Sequence, residues 1–79
     1  MPLRYVSGEE ILVGDHVLYA GEPGVIEIVA DPENPTSETD WYIQEFGRGV
    51  MIGDLKSLGR LYTKPDDRLQ FARRAESAI

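Results

Sequence analysis

The chain has 79 residues, no cysteine, and 14 acidic against 8 basic side chains, which gives a formal net charge of −6. A chain of this length forms one small domain with a modest core, and without cysteine it has no disulfide framework, thiolate metal site or thiol nucleophile. The negative charge argues against direct binding of nucleic acid, because lysine and arginine supply most of the affinity for phosphates. We therefore expect a single domain over residues 1–79 whose partner is a basic protein.

The start of the chain and its apolar runs bear on where the protein works. Residues 1–5 lack the apolar region of a signal peptide, and no apolar run approaches the roughly 18 residues that span a membrane. The sequence therefore predicts a cytoplasmic protein that has no membrane partner. A homo-oligomer is compatible with the same features.

Two short apolar runs, at residues 17–19 and 25–29, predict a β-hairpin. Both runs are rich in β-branched and aromatic side chains, and residues 20–24 between them contain the glycine and proline typical of a turn. The Gly-Asp pair at residues 14–15 predicts a further tight turn just before the first strand. The other predicted strands extend the sheet that starts with this hairpin.

Alternation along the two strands of the hairpin assigns their faces. In the first strand, Val17 and Tyr19 lie on one face. In the second strand, Ile26 and Ile28 share a face and Glu27 points to the opposite side. We therefore expect Ile26 and Ile28 in the core and Glu27 in water.

Residues 31–40 predict an exposed acidic loop. The segment has two prolines, four carboxylates and no apolar side chain, so it cannot belong to a core. It is either a solvated loop or an acidic docking surface for a basic partner. Its spacing does not match a calcium-binding loop, which needs alternating aspartates, a glycine and a terminal glutamate, and no metal site is predicted.

Three more strands are predicted after this loop, at residues 41–46, 50–52 and 58–62. The glycines of residues 47–49 predict a hairpin loop between the first two of these strands. Residues 4–6 are a further candidate for a short strand. Together with the N-terminal hairpin, these segments give a sheet of about five strands.

The segment that begins at Pro65 has an ambiguous pattern. Leu69 and Phe71 alternate as in a strand, whereas Leu69 and Ala72 are spaced as on one face of a helix. Pro65 and the aspartates that follow it are typical of a helix N-terminus, which favours a short helix or helical turn. Residues 76–79 are expected to fray.

Short strands at regular spacing with glycine-rich turns predict an all-β domain that forms a small closed or nearly closed barrel. Its hairpin contains a pattern made of Gly14, Asp15, Val17, Tyr19, Gly21, Gly24, Ile26 and Ile28. This pattern resembles the SH3-like barrels of the KOW and Tudor kind, in which a G-D-x-V segment leads through a glycine-rich turn to an alternating strand. The resemblance implies a small SH3-like β-barrel.

An overlapping set of residues is similar to a second family. The set consists of Gly14, Asp15, Val17, Leu18, Tyr19, Gly24, Val25 and Ile28, with Tyr42 and Ile43 in the following strand. It is similar to the RNA-polymerase-interacting domain of the CarD type, although the helical DNA-binding half of that type is missing. The basic residues with which many KOW domains hold RNA are also missing from residues 14–29. The resemblance therefore implies binding of a protein through a sheet edge or an aromatic face.

The single histidine, His16, does not predict catalysis. Asp15 precedes it, but neighbouring residues of a strand point to opposite faces and do not form an acid–base pair. No serine lies in a nucleophile elbow, and no second histidine completes a metal site. The sequence predicts a protein that is not an enzyme and binds no cofactor, with His16 as a structural residue.

Trp41, Tyr42 and Phe46 form the densest aromatic group in the sequence. Core packing is one interpretation, and an exposed Trp41 beside the acidic loop, as the hot spot of an interface, is the other. A methyl-lysine cage of the Tudor type would need several aromatic side chains around one pocket. The predicted binding residues for a protein partner are Glu22, Glu27, Asp31, Glu33, Glu38, Asp40 and Trp41.

These observations lead to two functional hypotheses. The first is a non-catalytic module that binds a basic partner protein through an acidic and aromatic face. The second is an immunity or antitoxin-like inhibitor, whose carboxylates would occupy the basic cleft of a nuclease-type toxin where phosphates otherwise bind. Such an inhibitor would bind one partner tightly, whereas a general module would bind more weakly.

Overall fold

The computed structural model describes residues 3–74. Its strands are β1 (His16–Tyr19), β2 (Glu22–Ala30), β3 (Gly49–Leu55), β4 (Gly59–Thr63) and β5 (Leu69–Arg73), and its helix is α1 (Asp40–Phe46), between β2 and β3. Neighbouring strands pair antiparallel in one sheet, in the order β4-β3-β2-β1-β5. The predicted all-β fold of about five strands is therefore confirmed. Within residues 3–74, no helix has the length and apolar character needed to cross a membrane.

The predicted hairpin is formed by β1 and β2, with a tighter turn than expected. Its loop consists of Ala20 and Gly21, which both have positive φ angles, 50° and 87°. Positive φ at both positions is what the favoured two-residue hairpin turn requires. Gly24, expected in the turn, lies inside β2, where a Cβ atom would come within 2.7 Å of Ile52 Cγ2. This glycine therefore allows close packing between strands and does not form the turn.

A β-bulge at Glu27 changes the faces of β2. Ile26 pairs with Ile52 of β3, whereas Ile28 pairs with Met51, so two steps along β2 correspond to one step along β3. Because successive residues of a strand point to opposite faces, Ile26 and Ile28 end on opposite sides of the sheet. Ile26 is fully buried, as predicted, and the expected burial of Ile28 is wrong, because Ile28 is half-buried on the other side.

The core of the described part is one cluster of ten buried apolar side chains. They are Leu3, Tyr5, Ile11, Val17, Tyr19, Ile26, Val50, Ile52, Leu55 and Leu69. Val17 and Tyr19, which alternation places on one face of β1, both belong to it. The N-terminal segment contributes three members, although the strand predicted at residues 4–6 is a single bridge between Arg4 and Glu10. This segment therefore covers the sheet mainly through its side chains.

The strand predicted directly after the acidic loop is wrong, because that segment forms α1. Tyr42 and Phe46 are four residues apart, so a helix brings both rings to one side, against Tyr62 of β4. Asp40 lies in the first turn, where a carboxylate stabilises a helix, and Gly47 ends α1 with a φ of 77°. The connection from α1 to β3 is therefore not the predicted hairpin loop.

The short helix predicted near the C-terminus is also wrong, because this segment forms β5. Leu69 pairs with Tyr19 of β1 and is buried, and two residues later the ring of Phe71 lies 5.1 Å from that of Tyr5. The strand alternation of Leu69 and Phe71 was thus the correct part of an ambiguous pattern. Pairing with β1, far away in the sequence, decides the conformation. The fraying predicted for residues 76–79 lies outside the described residues.

Candidate functional site

Four aromatic rings meet on the surface in a cluster, the aromatic platform, which consists of Trp41, Tyr42 and Phe46 of α1 and Tyr62 of β4. The centroids of contacting rings are 5.0–6.4 Å apart. Trp41 and Phe46 are 57% and 54% exposed, and the two tyrosines are half-buried. Among residues 3–74, the platform is the one place where more than two aromatic rings touch.

Tyr62 fixes the platform to the sheet. Its ring stacks on that of Tyr42 with an interplanar angle of 9°, and its hydroxyl donates a 2.8 Å hydrogen bond to the carbonyl oxygen of Gly47. Gly49 leaves room for the ring, because a Cβ atom there would lie 2.7 Å from Tyr62 Cε1. Burial, and next the charge of the nearby Tyr42, raise the pKa of Tyr62. The Tyr62 hydroxyl therefore stays protonated and keeps donating at neutral pH.

Trp41 contacts two rings of the platform and has no ring contact with Tyr62. It meets Tyr42 and Phe46 nearly at right angles, with centroid distances of 5.0 and 5.6 Å. None of the seven residues of α1 is buried, so this helix lies on the sheet without entering the core. The interpretation of Trp41 as a core residue is therefore wrong. More than half of its surface is open to a ligand.

Three carboxylates on or next to α1 form what we call the acidic rim: Glu38, Asp40 and Glu45. Asp40 Oδ2 accepts a 2.9 Å hydrogen bond from Gln44 Nε2. Glu45 follows Trp41 by one helical turn, so the two side chains lie on the same side of α1. Glu38 and Glu45 have no hydrogen-bond or ion-pair partner among residues 3–74. The rim therefore presents negative charge that the described part of the chain does not neutralise.

Two of the predicted binding residues are engaged elsewhere in the fold. Glu22 Oε1 accepts a 2.9 Å hydrogen bond from the backbone N–H of Ser57. Glu27 lies over Gly53, where any Cβ atom would collide with it, and its Oε1 is 3.1 Å from Arg60 Nε. Glu22 and Glu27 therefore connect neighbouring strands and turns, and neither is part of the acidic rim.

The beginning of the predicted acidic loop is more ordered than expected. Asp31, placed in an exposed loop from the sequence, is instead only 8% exposed. Its Oδ1 accepts a 3.0 Å hydrogen bond from the Glu33 N–H, and Arg48 Nη2 lies 3.8 Å from the carboxylates of both residues. Residues 32–38 are exposed. Burial excludes Asp31 from direct contact with a partner, and Arg48 reduces the local charge.

The rings of the platform do not enclose a cation site. In an aromatic cage, several ring faces surround one ammonium group, each within about 6 Å of it. Here the rings fill that space themselves, because they contact one another at centroid distances as short as 5.0 Å. The methyl-lysine cage considered from the sequence is therefore not formed by these residues. Residues 3–74 also contain no group of three or more histidine, cysteine, aspartate or glutamate side chains placed to hold a metal ion.

A second polar cluster, the Asp15 junction, lies in the interior. Asp15 is 1% exposed, and its Oδ2 accepts hydrogen bonds from the Tyr5 hydroxyl (2.7 Å), the Leu12 N–H (2.9 Å) and Arg74 Nη1 (2.8 Å). Burial, and next the hydrogen bond to Asp15, raise the pKa of Tyr5, which keeps its hydroxyl protonated. Three donors on one buried oxygen join the N-terminal segment to the residue after β5, so we assign Asp15 a structural role.

Sequence reasoning missed four members of the candidate site as binding residues: Tyr42, Glu45, Phe46 and Tyr62. Glu45 follows Trp41 by four residues, a spacing that would have paired them if a helix had been assumed. Tyr62 has no local signal, because it reaches α1 only through the pairing of β3 and β4. No model of a protein family, no curated protein and no solved structure matches the chain.

Proposed function

We propose that the chain is a non-catalytic module that binds a basic protein through the aromatic platform and the acidic rim. One observation carries this proposal: Trp41, with 57% of its surface exposed, lies one helical turn from Glu45, a carboxylate without a partner in residues 3–74. Tryptophan and tyrosine are over-represented among the residues that dominate binding energies at protein interfaces. An exposed aromatic cluster of this kind supports a docking role.

The charge of the rim supports a basic partner. Glu38 and Glu45 are unpaired within residues 3–74, and the whole chain carries a formal charge of −6. Complementary charges at the edge of an interface increase the association rate and select against partners of the same sign. The rim would therefore orient a basic surface over the platform, while the apolar rings supply most of the contact area.

The attachment of the platform supports a binding role as well. Tyr62 is held by its stack on Tyr42 and by its hydrogen bond to Gly47, so the rings of Tyr42 and Phe46 rest on an anchor that belongs to the sheet. A surface that is already ordered loses less conformational entropy when it binds. The platform can therefore bind without a prior rearrangement of α1.

We also infer that the domain is an SH3-like barrel of the KOW or Tudor kind, that it is not an enzyme, and that it works in the cytoplasm. The order of the sheet supports the first inference, because β1 to β4 follow one another and β5 returns beside β1. The chemistry of the site supports the second, since rings and carboxylates without an adjacent nucleophile are suited to binding. The absence of cysteine from the sequence agrees with a reducing compartment.

Affinity capture with matched variants tests the proposed function. The immobilised domain is exposed to a native lysate, and its partner is identified and quantified for the wild type, Trp41→Ala, and Glu38→Lys combined with Glu45→Lys. Asp54→Asn is the control, because Asp54 is exposed at the far end of β3 from α1, and asparagine tolerates its φ of 60°. Circular dichroism establishes that each variant remains folded.

We expect one basic protein that the wild type and the control retain and that both platform variants lose. Retention of the partner by folded Trp41→Ala would contradict the proposal. The identity of the partner separates the two hypotheses: a nuclease-type toxin bound tightly indicates an inhibitor, and other basic proteins bound more weakly indicate a general module.

A further inference from the structure

We propose that the group bound on the platform is the guanidinium of an arginine side chain, which lies on the indole ring of Trp41 and pairs with the carboxylate of Glu45. This inference rests on the proposed function and names the chemistry that the same site selects. Three features support it: two arginine sites inside this chain, the uncompensated charge of α1, and the close packing of the rings.

The first internal arginine site is at Tyr19. The Cζ atom of Arg68 lies 5.6 Å from the centroid of the Tyr19 ring, and its Nη2 donates a 2.9 Å hydrogen bond to Asp66 Oδ2. The hydrogen bond from Arg68 lowers the pKa of Asp66, because it stabilises the charged carboxylate. One guanidinium thus contacts a ring face and a carboxylate at the same time.

The second internal site repeats this arrangement. Arg74 Cζ lies 5.0 Å from the centroid of the Phe71 ring, and its Nη1 donates a 2.8 Å hydrogen bond to Asp15 Oδ2. Trp41 and Glu45 provide the same two components, a ring and a carboxylate one helical turn apart. At the platform, the ring is more than half exposed and the carboxylate is unpaired within residues 3–74. The missing component is the arginine.

The position of Glu45 in α1 points in the same direction. The C-terminal end of a helix carries partial negative charge, so a carboxylate in its last turn is unfavourable and a basic residue is favourable. Glu45 is the next-to-last residue of α1, and the last turn contains no basic residue. Glu45 has no hydrogen-bond or ion-pair partner among residues 3–74 that would offset this repulsion. A bound cation would offset the repulsion between Glu45 and the end of the helix. Glu45 therefore has a role in the complex that it lacks in the free domain.

The packing of the rings favours arginine over lysine. An ammonium group gains most from rings that surround it, and Trp41, Tyr42 and Phe46 leave no such space because they contact one another. A guanidinium is planar, stacks flat on one open ring face, and directs its N–H groups sideways to a carboxylate. An indole ring that is more than half exposed, one helical turn from a carboxylate, therefore suits arginine better.

Two short peptides of otherwise uncharged residues test this inference, one with two arginines and the other with lysines at the same positions. Trp41 is the only tryptophan of the chain, so its fluorescence and its indole N–H signal in NMR spectra report on the platform alone. Both peptides are titrated into the wild type, Glu45→Gln and the control Asp54→Asn. A second titration at high salt separates stacking from long-range attraction, because salt screens the latter.

We expect a saturable shift of the Trp41 indole signal, with an affinity for the arginine peptide at least about threefold higher than for the lysine peptide. Glu45→Gln should reduce the affinity for the arginine peptide and remove most of this preference. Asp54→Asn removes one negative charge elsewhere and should bind the arginine peptide like the wild type.

Three results would overturn the arginine assignment: equal affinity for both peptides, binding that leaves the Trp41 signals unchanged, or an unchanged preference in Glu45→Gln. Different results would contradict the proposed function. Equal affinity with clear Trp41 shifts would leave a platform for basic partners without arginine selection. A captured partner that folded Trp41→Ala retains would contradict the proposed function whatever the peptides do.

Discussion

The Asp15 junction and the acidic rim both contain carboxylates, but these differ in burial and in hydrogen bonding. The carboxylate of Asp15 is 1% exposed and accepts hydrogen bonds from Tyr5, Leu12 and Arg74. The carboxylate of Glu45 is exposed and has no partner within residues 3–74. A buried charge is stable only when it is paired, whereas an exposed charge is hydrated and remains accessible to a ligand. The chain therefore uses one carboxylate to hold its fold and leaves the other available.

The aromatic rings show the same division. The ring of Phe71 lies between Tyr5 and Arg74 and helps to close the junction. The ring of Trp41 meets those of Tyr42 and Phe46 nearly at right angles and remains 57% exposed. Substitutions at the junction should therefore change stability, and substitutions at the platform should change binding.

Asp15→Ala should have the largest effect on stability. It removes the acceptor of three hydrogen bonds and leaves the Tyr5 hydroxyl buried without its partner. We expect a loss of about 3 kcal/mol in the free energy of unfolding, which is most of what a domain of this size has. Chemical denaturation measures it, with Asp15→Asn as a control that keeps an acceptor and should lose less. A loss below about 1 kcal/mol in Asp15→Ala would mean that the hydrogen bonds of the Asp15 junction contribute little to the stability of the fold.

Tyr5→Phe should give a smaller loss, together with a change in the dependence of stability on pH. The pKa of Tyr5 is raised in the folded state, so above its unfolded value of 10.0 the folded chain retains a proton that the unfolded chain has lost. The stabilisation is complete below this pH and decreases above it, by about 1.4 kcal/mol per pH unit for one proton. Near neutral pH we expect a loss of about 1 kcal/mol from the missing hydrogen bond.

Denaturation of the wild type and Tyr5→Phe between about pH 8 and about pH 11 measures this difference. The wild type should lose stability more steeply in the alkaline range, because Tyr5→Phe has no hydroxyl to titrate at the junction. Tyr62 remains in both proteins, so its own raised pKa cancels in the comparison. Parallel curves would show that the pKa of Tyr5 is not raised in the folded state.

Gly49→Ala tests how the platform is attached to the sheet, because the added Cβ atom would press on Tyr62. Its Cβ atom would lie 2.7 Å from Tyr62 Cε1 and 3.0 Å from the Thr63 carbonyl oxygen. We expect a loss of about 1 kcal/mol and a changed Trp41 fluorescence, because the displaced Tyr62 ring carries Tyr42 with it. In a Tyr62→Ala background, the same substitution should cost less, which a double-mutant cycle would measure. An equal cost in both backgrounds would place the strain in the backbone alone.

The parts of the fold that the sequence predicts correctly are those with a strong local pattern. The hairpin of β1 and β2 follows from its apolar runs and turn residues, and Ile26 is buried as predicted. Val17 and Tyr19, placed on one face by alternation, are both buried. Ile28 departs from this pattern because the bulge at Glu27 depends on how β2 pairs with β3, which local sequence does not encode.

The conformations of α1 and β5 were predicted wrongly for a common reason. Trp41 and its neighbours have a high strand propensity, yet the residues between the exposed loop and Gly47 pack on Tyr62 only as a helix. Leu69 belongs to a strand because it pairs with Tyr19 of β1. In both cases tertiary contacts override short local patterns. Trp41 was predicted as a binding residue, whereas Tyr62 was not, because Tyr62 reaches the rings of Tyr42 and Phe46 only in the folded chain.

Glu45→Gln should have the smallest effect on stability. Whether the free energy of unfolding rises or falls is the most direct test of the contrast between Glu45 and Asp15. Removal of a negative charge from the last turn of α1 relieves its repulsion by the helix end, so we expect a gain of about 0.3 kcal/mol. Glu38→Gln is the matched control, because Glu38 precedes the start of α1, where a negative charge is favourable, and its removal should give no gain. Chemical denaturation at low salt measures both changes in stability, and high salt should abolish the gain.

A loss of stability in Glu45→Gln would reveal a structural role for Glu45 and remove its contrast with Asp15. A gain together with weaker binding of the arginine peptide would show that Glu45 reduces the stability of the free domain and acts in the complex.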